Sequence, residues 1–225
     1  MNPEFAPFEY KTLVNGKDTI VGSDVKLAQA IADELGVKLE LSPMSFDNVL
    51  SSLQTGKADI AISGISVTEE RKKTFDFSDP YYKANNVLII KNEQLNTFSS
   101  IKSLAGKTIA AQKGSVQESV IKDQIPDATL ISLTSNGNMI TELQAGTVDA
   151  VILEKPIAEG YIKNNPGLTL AKIELDSSDT DSYAVAFSKN NDILKKKINK
   201  VVKELVTSGK YATYVQEAYE SNTSE

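Results

Sequence analysis

Leu53-Gln54-Thr55-Gly56-Lys57-Ala58-Asp59-Ile60-Ala61-Ile62 returns ninety residues later as Leu143-Gln144-Ala145-Gly146-Thr147-Val148-Asp149-Ala150-Val151-Ile152, with the Leu, Gln, Gly, Asp and final Ile unchanged. Each copy reads as the end of a helix, a glycine that stops it, a short polar turn and an apolar strand. That connection is common in α/β proteins and converges easily. Five identities in ten at one offset favour a duplicated architecture, two similar α/β lobes of roughly 100 residues each. Two copies are too few for a solenoid.

Outward from the repeat, short apolar runs alternate with helical patterns. Thr19–Val21 reads as a strand. Asp24 reads as the cap of a helix whose apolar positions Val25, Leu27, Ala28, Ile31, Ala32 and Leu35 recur at helical spacing, with Gly36 as its stop. Val37–Leu41, Asp59–Ile65, Val87–Ile90, Lys107–Ala111, Leu130–Leu133, Asp149–Leu153 and Tyr183–Phe187 read as strands. Asp47–Gln54, Gly114–Gln124, Met139–Gln144, Pro156–Lys163, Ile193–Val206 and Gly209–Tyr219 read as helices. Such alternation predicts parallel α/β sheets. No Pro/Gly/Ser-rich linker parts the halves, so the lobes should be joined by strand-like crossings at Asn86–Asn92 and Asp181–Asn191, a hinge geometry with a cleft.

Composition excludes much chemistry. The 225 residues are 40% hydrophobic and 24% charged, as in ordinary globular proteins, and no apolar run reaches the length of a membrane helix. A net charge of −6 argues against nucleic acid, whose phosphates call for a basic face. With no Cys and no His, thiolate nucleophiles, Ser-His-Asp triads, haem ligation and nearly all zinc and copper sites drop out, and no cofactor or metal is expected. Carboxylates, lysines, hydroxyls and backbone groups remain. Met1 leads straight into Asn2, Pro3 and Glu4, which does not read as a secretory leader.

Of the 24 basic residues only Arg71 is an arginine. A planar fork that grips a carboxylate through two hydrogen bonds is something lysine does not supply. Arg71 follows Ser63-Gly64-Ile65-Ser66-Val67-Thr68-Glu69-Glu70, where Gly64 lets the backbone approach a ligand and Thr68 should cap a helix from Glu69. A carboxylate there could take two bonds from Arg71 and one from the Ser66 amide. A plain capped helix with a surface arginine would use the same residues. Gln112-Lys113-Gly114-Ser115-Val116 holds the equivalent place in the second lobe, and free amides at Ser115 and Val116 would make an anion site, though every strand-to-helix turn looks alike. Glu154 ends its strand and could hold an ammonium, or pair with Lys155 or another surface lysine. Phe5, Phe8 and Phe46 are core residues or cleft walls. Lys195-Lys196-Lys197 reads as the solvated side of a helix whose apolar face is Ile193, Leu194, Ile198, Val201, Val202 and Leu205.

The stretches FAPFEY (5–10), VGSDVKLAQAIADELG (21–36), LQTGKADIAISGISVTEERKKTFDFSDPYY (53–82) and LQAGTVDAVILEKPIAEGY (143–161) together resemble the extracellular solute-binding proteins of polar amino-acid ABC importers, over essentially the whole chain. Gly64–Arg71 running into Phe77-Ser78-Asp79-Pro80-Tyr81-Tyr82 is the most specific part. The resemblance implies an α/β, two-lobed clamp, each lobe a mainly parallel sheet with flanking helices, joined by two hinge strands. Lobe one would be 1–88 plus 186–225 and lobe two 89–185. It implies a monomer that is not an enzyme, closes on one free amino acid and delivers it to a permease.

Residue by residue, the resemblance implies that Arg71 holds the ligand α-carboxylate, with the Ser66 amide and the amide near Val116 and Ser115 completing that site. The Gly64 carbonyl, the Ser66 hydroxyl and Glu154 would take the α-ammonium. Phe5 and Phe46 would flank the ligand side chain, and Ser63 and Gln112 would point towards it. Family members begin with a strand reading like VVAT before the position of Asn2, so the natural mature chain is expected to start before Met1 and this one to lack that strand. Relatives with Asp in place of Asn2 often bind cationic side chains, so Asn2 weakens a basic-amino-acid reading, while Gln112, Glu154 and two aromatics suit arginine or glutamine. Arginine stands ahead of glutamine. The preference for lysine over arginine points to a low-GC bacterium and a lipid-tethered cell-surface protein, or a periplasmic one in a Gram-negative cell. The same fold also serves cyclohexadienyl-type dehydratases and ligand-sensing receptor modules, which are the alternatives.

Overall fold

The computed structural model describes residues 1–176 and 182–222. In chain order the elements are β1 (Glu4–Phe5), β2 (Glu9–Val14), β3 (Lys17–Val21), α1 (Ser23–Leu35), α2 (Phe46–Gln54), β4 (Ile60–Ala61), α3 (Glu69–Thr74), β5 (Phe75–Phe77) and β6 (Tyr82–Lys83). There follow β7 (Asn86–Lys91), β8 (Thr108–Gln112), α4 (Gln117–Gln124), β9 (Thr129–Leu133), α5 (Asn136–Ala145), β10 (Ala150–Glu154), α6 (Lys155–Asn164) and β11 (Leu168–Leu170). The chain ends in β12 (Ser182–Tyr183), β13 (Ala186–Ser188), α7 (Asp192–Thr207) and α8 (Lys210–Asn222). These fall into two compact units: residues up to Lys83 with those from 182 onward, and residues from Ala84 to 176.

The second unit is one five-stranded sheet in the order β11-β7-β10-β8-β9. β8 runs parallel to both β10 and β9, and β7 is antiparallel to β10 and β11. The sequences TIAAQ and AVILE are near-continuous apolar runs, as strands buried on both faces require, and both lie in the sheet interior. Leu88, Ile90, Leu104, Ile109 and Ile152 are fully buried in its core. Because β8 and β10 are parallel, their carboxyl ends, Gln112 and Glu154, lie at one edge of the sheet.

The first unit is built differently. Its sheets are antiparallel: β1-β2-β3, β4-β13-β5 and the pair β12-β6. The expected parallel sheet of lobe one is therefore corrected: among the described residues, parallel pairing lies in the second unit. The strand expected at Val37–Leu41 is absent. A strand needs a ladder partner for its backbone groups, and in this region the bonds fall beyond it, from the Met1 amino group to Ser42 O (3.2 Å) and from Met44 N to Met1 O (3.1 Å). The strand expected over Asp59–Ile65 shortens to β4 for want of a longer neighbour. The strand expected over Tyr183–Phe187 divides into β12 and β13, which pair with different partners.

α1 buries Leu27, Ala28, Ile31 and Ala32 along one face and packs on α7 and α8. Gly36 closes it in the left-handed conformation, with the Val37 N–H returning to Ala32 O (3.0 Å). Asp24 is not its cap. Gly22 holds that position, and Asp24 lies inside the helix with its side chain buried. α7 buries Ile198, Val201, Val202 and Leu205, whereas Ile193, expected on the same face, is 75% exposed. The repeat survives in detail. Lys57 N bonds Ser52 O (2.9 Å) in the first copy and Thr147 N bonds Glu142 O (3.0 Å) in the second, the same backbone closure ninety residues apart.

Candidate functional site

Each unit carries its own cluster of functional groups. In the first, the loop after β4 turns at Gly64, whose φ is +54°. A Cβ there would stand 2.5 Å from Phe5 Cε1, so glycine is what lets the Phe5 ring lie on the loop backbone. Ser66 opposes Tyr183 in a lone antiparallel bridge, flanked by the Ala184 N–H to Ile65 O bond (3.0 Å). In that pattern the Ser66 N–H points away from the partner strand.

Thr68 caps α3, its hydroxyl accepting the Arg71 N–H at 3.1 Å, as the sequence predicts. This cap places Arg71 on the first turn, and the side chain folds back so that Nη1 donates to Ser66 O at 2.8 Å. Its guanidinium lies 5.9 Å from the centre of the Phe46 ring. A fork is thus held beside an amide and against an aromatic face, an arrangement suited to a carboxylate.

Asn2 and Ser63 are buried beneath this loop. Asn2 N donates to Ser63 Oγ (2.9 Å) and Asn2 Nδ2 to Met44 O (3.2 Å), while the Ser63 hydroxyl donates to Glu9 Oε1. These bonds of Ser63 and Asn2 are to protein groups. In this structure both tie the N-terminal segment to the loop.

In the second unit Gln112 and Glu154 are both buried at the carboxyl edge of the sheet. Glu154 pairs with Asn86 across the β10–β7 ladder, and Asn86 Oδ1 accepts from Gln117 Nε2 (2.8 Å) at the start of α4. Gln112 Nε2 reaches Thr134 O at 3.5 Å. Lys155, one partner the sequence allowed for Glu154, lies 3.8 Å from Glu159 one turn on.

The loop to α4 corrects one expectation. The helix starts at Gln117, not Gly114, and the Ser115 N–H is spent in a turn on Gln112 O (3.1 Å), so it is not a free amide. The Gly114 N–H goes to Glu118 (3.0 Å). What Ser115 does offer is its hydroxyl, buried and with no partner among the described residues. Val116 takes the cap position of α4.

One cluster escaped the sequence reading. Glu9, Ser23 and Asp24 are fully buried, and the hydroxyls of Tyr81 (2.8 Å) and Tyr211 (2.6 Å) both donate to Asp24. Burial, and then the Asp24 charge, push the Glu9 carboxyl well above the usual carboxylate range. Burial also holds both tyrosines well above theirs. The available signal was Glu9, an acid set among the aromatic residues of FAPFEY. Among the described residues no cluster of acids suits a metal, and no helix is long and apolar enough to cross a membrane.

Comparison with known proteins adds to this geometry. The family profile described as bacterial extracellular solute-binding proteins, family 3, matches residues 1–220. The arginine-binding extracellular protein ArtP of Bacillus subtilis (strain 168) is 36% identical over 208 residues, 92% of this chain and 79% of that protein. An amino acid ABC transporter substrate-binding protein, AbpA, from Streptococcus pneumoniae Canada MDR_19A, solved bound to L-arginine, superposes with a TM-score of 0.95 at 53% identity, covering 99% of this chain and 93% of that one. An ancestral arginine-binding protein bound to glutamine superposes with a TM-score of 0.84 at 36% identity, covering 100% and 96%.

Proposed function

Because the chain belongs to the bacterial extracellular solute-binding proteins of family 3, we infer that it binds a free polar L-amino acid, L-arginine ahead of L-glutamine, and presents it to the permease of an ABC importer. The observation that carries this is the one arginine of the chain, folded back onto the Ser66 carbonyl at 2.8 Å beside an outward-turned amide. Arg71 takes the α-carboxylate in two hydrogen bonds, with the Ser66 N–H as a third and the Val116 segment adding to it. Glu154, the Gly64 carbonyl and the Ser66 hydroxyl take the α-ammonium. A zwitterion thus meets a guanidinium at one end and a carboxyl group at the other. Phe5 and Phe46 flank the ligand side chain, and Gln112 and the Ser115 hydroxyl supply polar contacts.

The relatives supply the preference for cargo. AbpA is solved with L-arginine, and one ancestral arginine-binding protein is solved with glutamine. Both ligands carry a planar nitrogen-rich end that suits Gln112 and the aromatic walls. The family is extracellular. Attachment through a lipid at a Gram-positive cell surface, and action as a monomer, complete the reading.

A thermal-shift screen of ligand-stripped protein against the twenty amino acids tests it. A ligand at 100 times its Kd stabilises by about 2.7 kcal/mol, which for a chain of this size raises Tm by roughly 5–10 °C. The expected result is such a shift with L-arginine and a smaller one with L-glutamine. No shift with any amino acid contradicts the reading.

A further inference from the structure

The buried acids next to the loop have a role that the amino-acid site itself does not use. Glu9 and Asp24 are both fully buried. Asp24 is a well-served carboxylate: it accepts the Tyr81 hydroxyl (2.8 Å), the Tyr211 hydroxyl (2.6 Å) and the Gly64 N–H. Glu9 accepts the Ser63 hydroxyl on Oε1, while no donor among the described residues reaches its buried Oε2. The Asp24 carboxyl is its neighbour in the cluster, and the Asp24 N–H bonds the carbonyl of Phe8, one residue before Glu9 (2.9 Å). Two adjacent carboxylates cannot both stay charged in such a place. A proton on Glu9 Oε2, donated to Asp24, gives the bare oxygen its partner and removes the repulsion, and it belongs to the pair.

The pair is fastened to two consecutive loop residues. Glu9 holds the Ser63 hydroxyl, which in turn receives the Asn2 N–H (2.9 Å), and Asp24 holds the Gly64 N–H. Two residues on, the Ser66 carbonyl receives Arg71. We propose that Glu9 is a positioning residue: the single proton it shares with Asp24 fixes the Ser63–Ser66 loop and the Asn2 segment, and amino-acid binding weakens when that proton leaves. The proposal rests on the reading that this loop and Arg71 hold the ligand.

The groups facing the pair are Tyr81, Tyr211 on α8, Ser23 and Ser63, and the amino group at Met1. Both tyrosines stay protonated donors at any pH the protein meets. A residue before Met1 would replace its ammonium by a neutral amide, which strengthens Glu9's hold on the proton. The proton-bearing form is the binding form. Affinity is therefore complete below the raised folded-state pKa of Glu9 and is lost as pH rises through it. Stability falls in the same direction over a wider window: it is full below the ordinary, lower pKa of Glu9 in the unfolded chain and is lost as pH rises from there through the raised folded-state value.

Glu9→Gln reproduces the protonated pattern without titrating: its carbonyl accepts from Ser63 and its amide donates to Asp24. L-Arginine titrated calorimetrically into both proteins from about pH 5.5 to 9.5 reads the difference. The ligand's own ionisation cancels in the ratio of the two Kd values. That ratio is expected to be near one at the acid end and at least tenfold against the parent at the alkaline end. Glu9→Met, similar in bulk and without hydrogen bonds, is expected to bind weakly at every pH. Parallel pH profiles of parent and Glu9→Gln overturn the proposal, as does a Glu9→Gln protein that does not fold. If neither protein binds L-arginine, it is the amino-acid reading that has failed. The proton is then read without ligand, by the infrared carbonyl stretch of a protonated acid near pH 7, expected in the parent and lost in Glu9→Gln. Its absence from the parent also overturns the proposal.

Discussion

Arg71→Ala is expected to lower the affinity for L-arginine by about 2–5 kcal/mol, the cost of leaving a desolvated charge without its partner, or roughly thirtyfold to several-thousandfold in Kd. No neighbour can take over: the other 23 basic residues are lysines, and an ammonium cannot present two parallel N–H donors to one carboxylate. Arg71→Lys is expected to fall near the alanine variant for the same reason. The side chain is only half buried, and α3 keeps its Thr68 cap because that bond is made by the Arg71 backbone. Tm of the ligand-free protein should therefore move little. Calorimetric titration and a melting curve on the same samples separate the two effects. Arginine binding by Arg71→Ala within a few-fold of the parent would remove the carboxylate assignment.

Gly22→Ala is expected to be the most damaging single methyl group in the first unit. Gly22 has φ of +128° at the start of α1, and a Cβ would stand 2.1 Å from Phe8 O, 2.6 Å from Phe8 C and 2.9 Å from Pro7 O. All three are backbone atoms, and they are laced in place, since Ser23 N bonds Pro7 O (3.1 Å) and Asp24 N bonds Phe8 O (2.9 Å). Relief requires moving the segment that carries Phe8 and Glu9, together with the start of α1. A loss of at least about 3 kcal/mol follows from strain of this kind, a fall of roughly 6–12 °C in Tm. Gly16→Ala is the control. Its φ of +75° is also left-handed but nothing lies within 4 Å, so about 1 kcal/mol is expected. Equal melting temperatures for the two variants would contradict this account of Gly22.

The second unit was more legible in the sequence than the first, and the reason is physical. β8 and β10 are near-continuous apolar runs because both faces are covered, so composition alone marks them. Thr68 and Gly36 announce helix ends through local chemistry, and both act as expected. Val37–Leu41 alternates like a strand, but strand formation depends on a neighbour, which local pattern does not encode. β2 was missed because EYKTLV mixes charge with apolar residues, and Asp24 was misread because an acid before an apolar helix looks like a cap. Its buried role depends on Tyr81 and Tyr211, far away along the chain. At the site, Arg71 stood out by its singularity in a lysine-rich chain. The spent amide of Ser115 did not, because it depends on whether α4 starts at Gly114 or Gln117.

The central claim is recognition of a whole zwitterion, carboxylate on Arg71 and ammonium on Glu154. It is tested most directly by calorimetric titration of ligand-stripped protein with L-arginine and with agmatine, which has the same guanidinium tail and no α-carboxylate. L-Arginine is expected to saturate a single site while agmatine gives no measurable binding. Agmatine binding within tenfold of L-arginine, or no binding of L-arginine, would contradict the account.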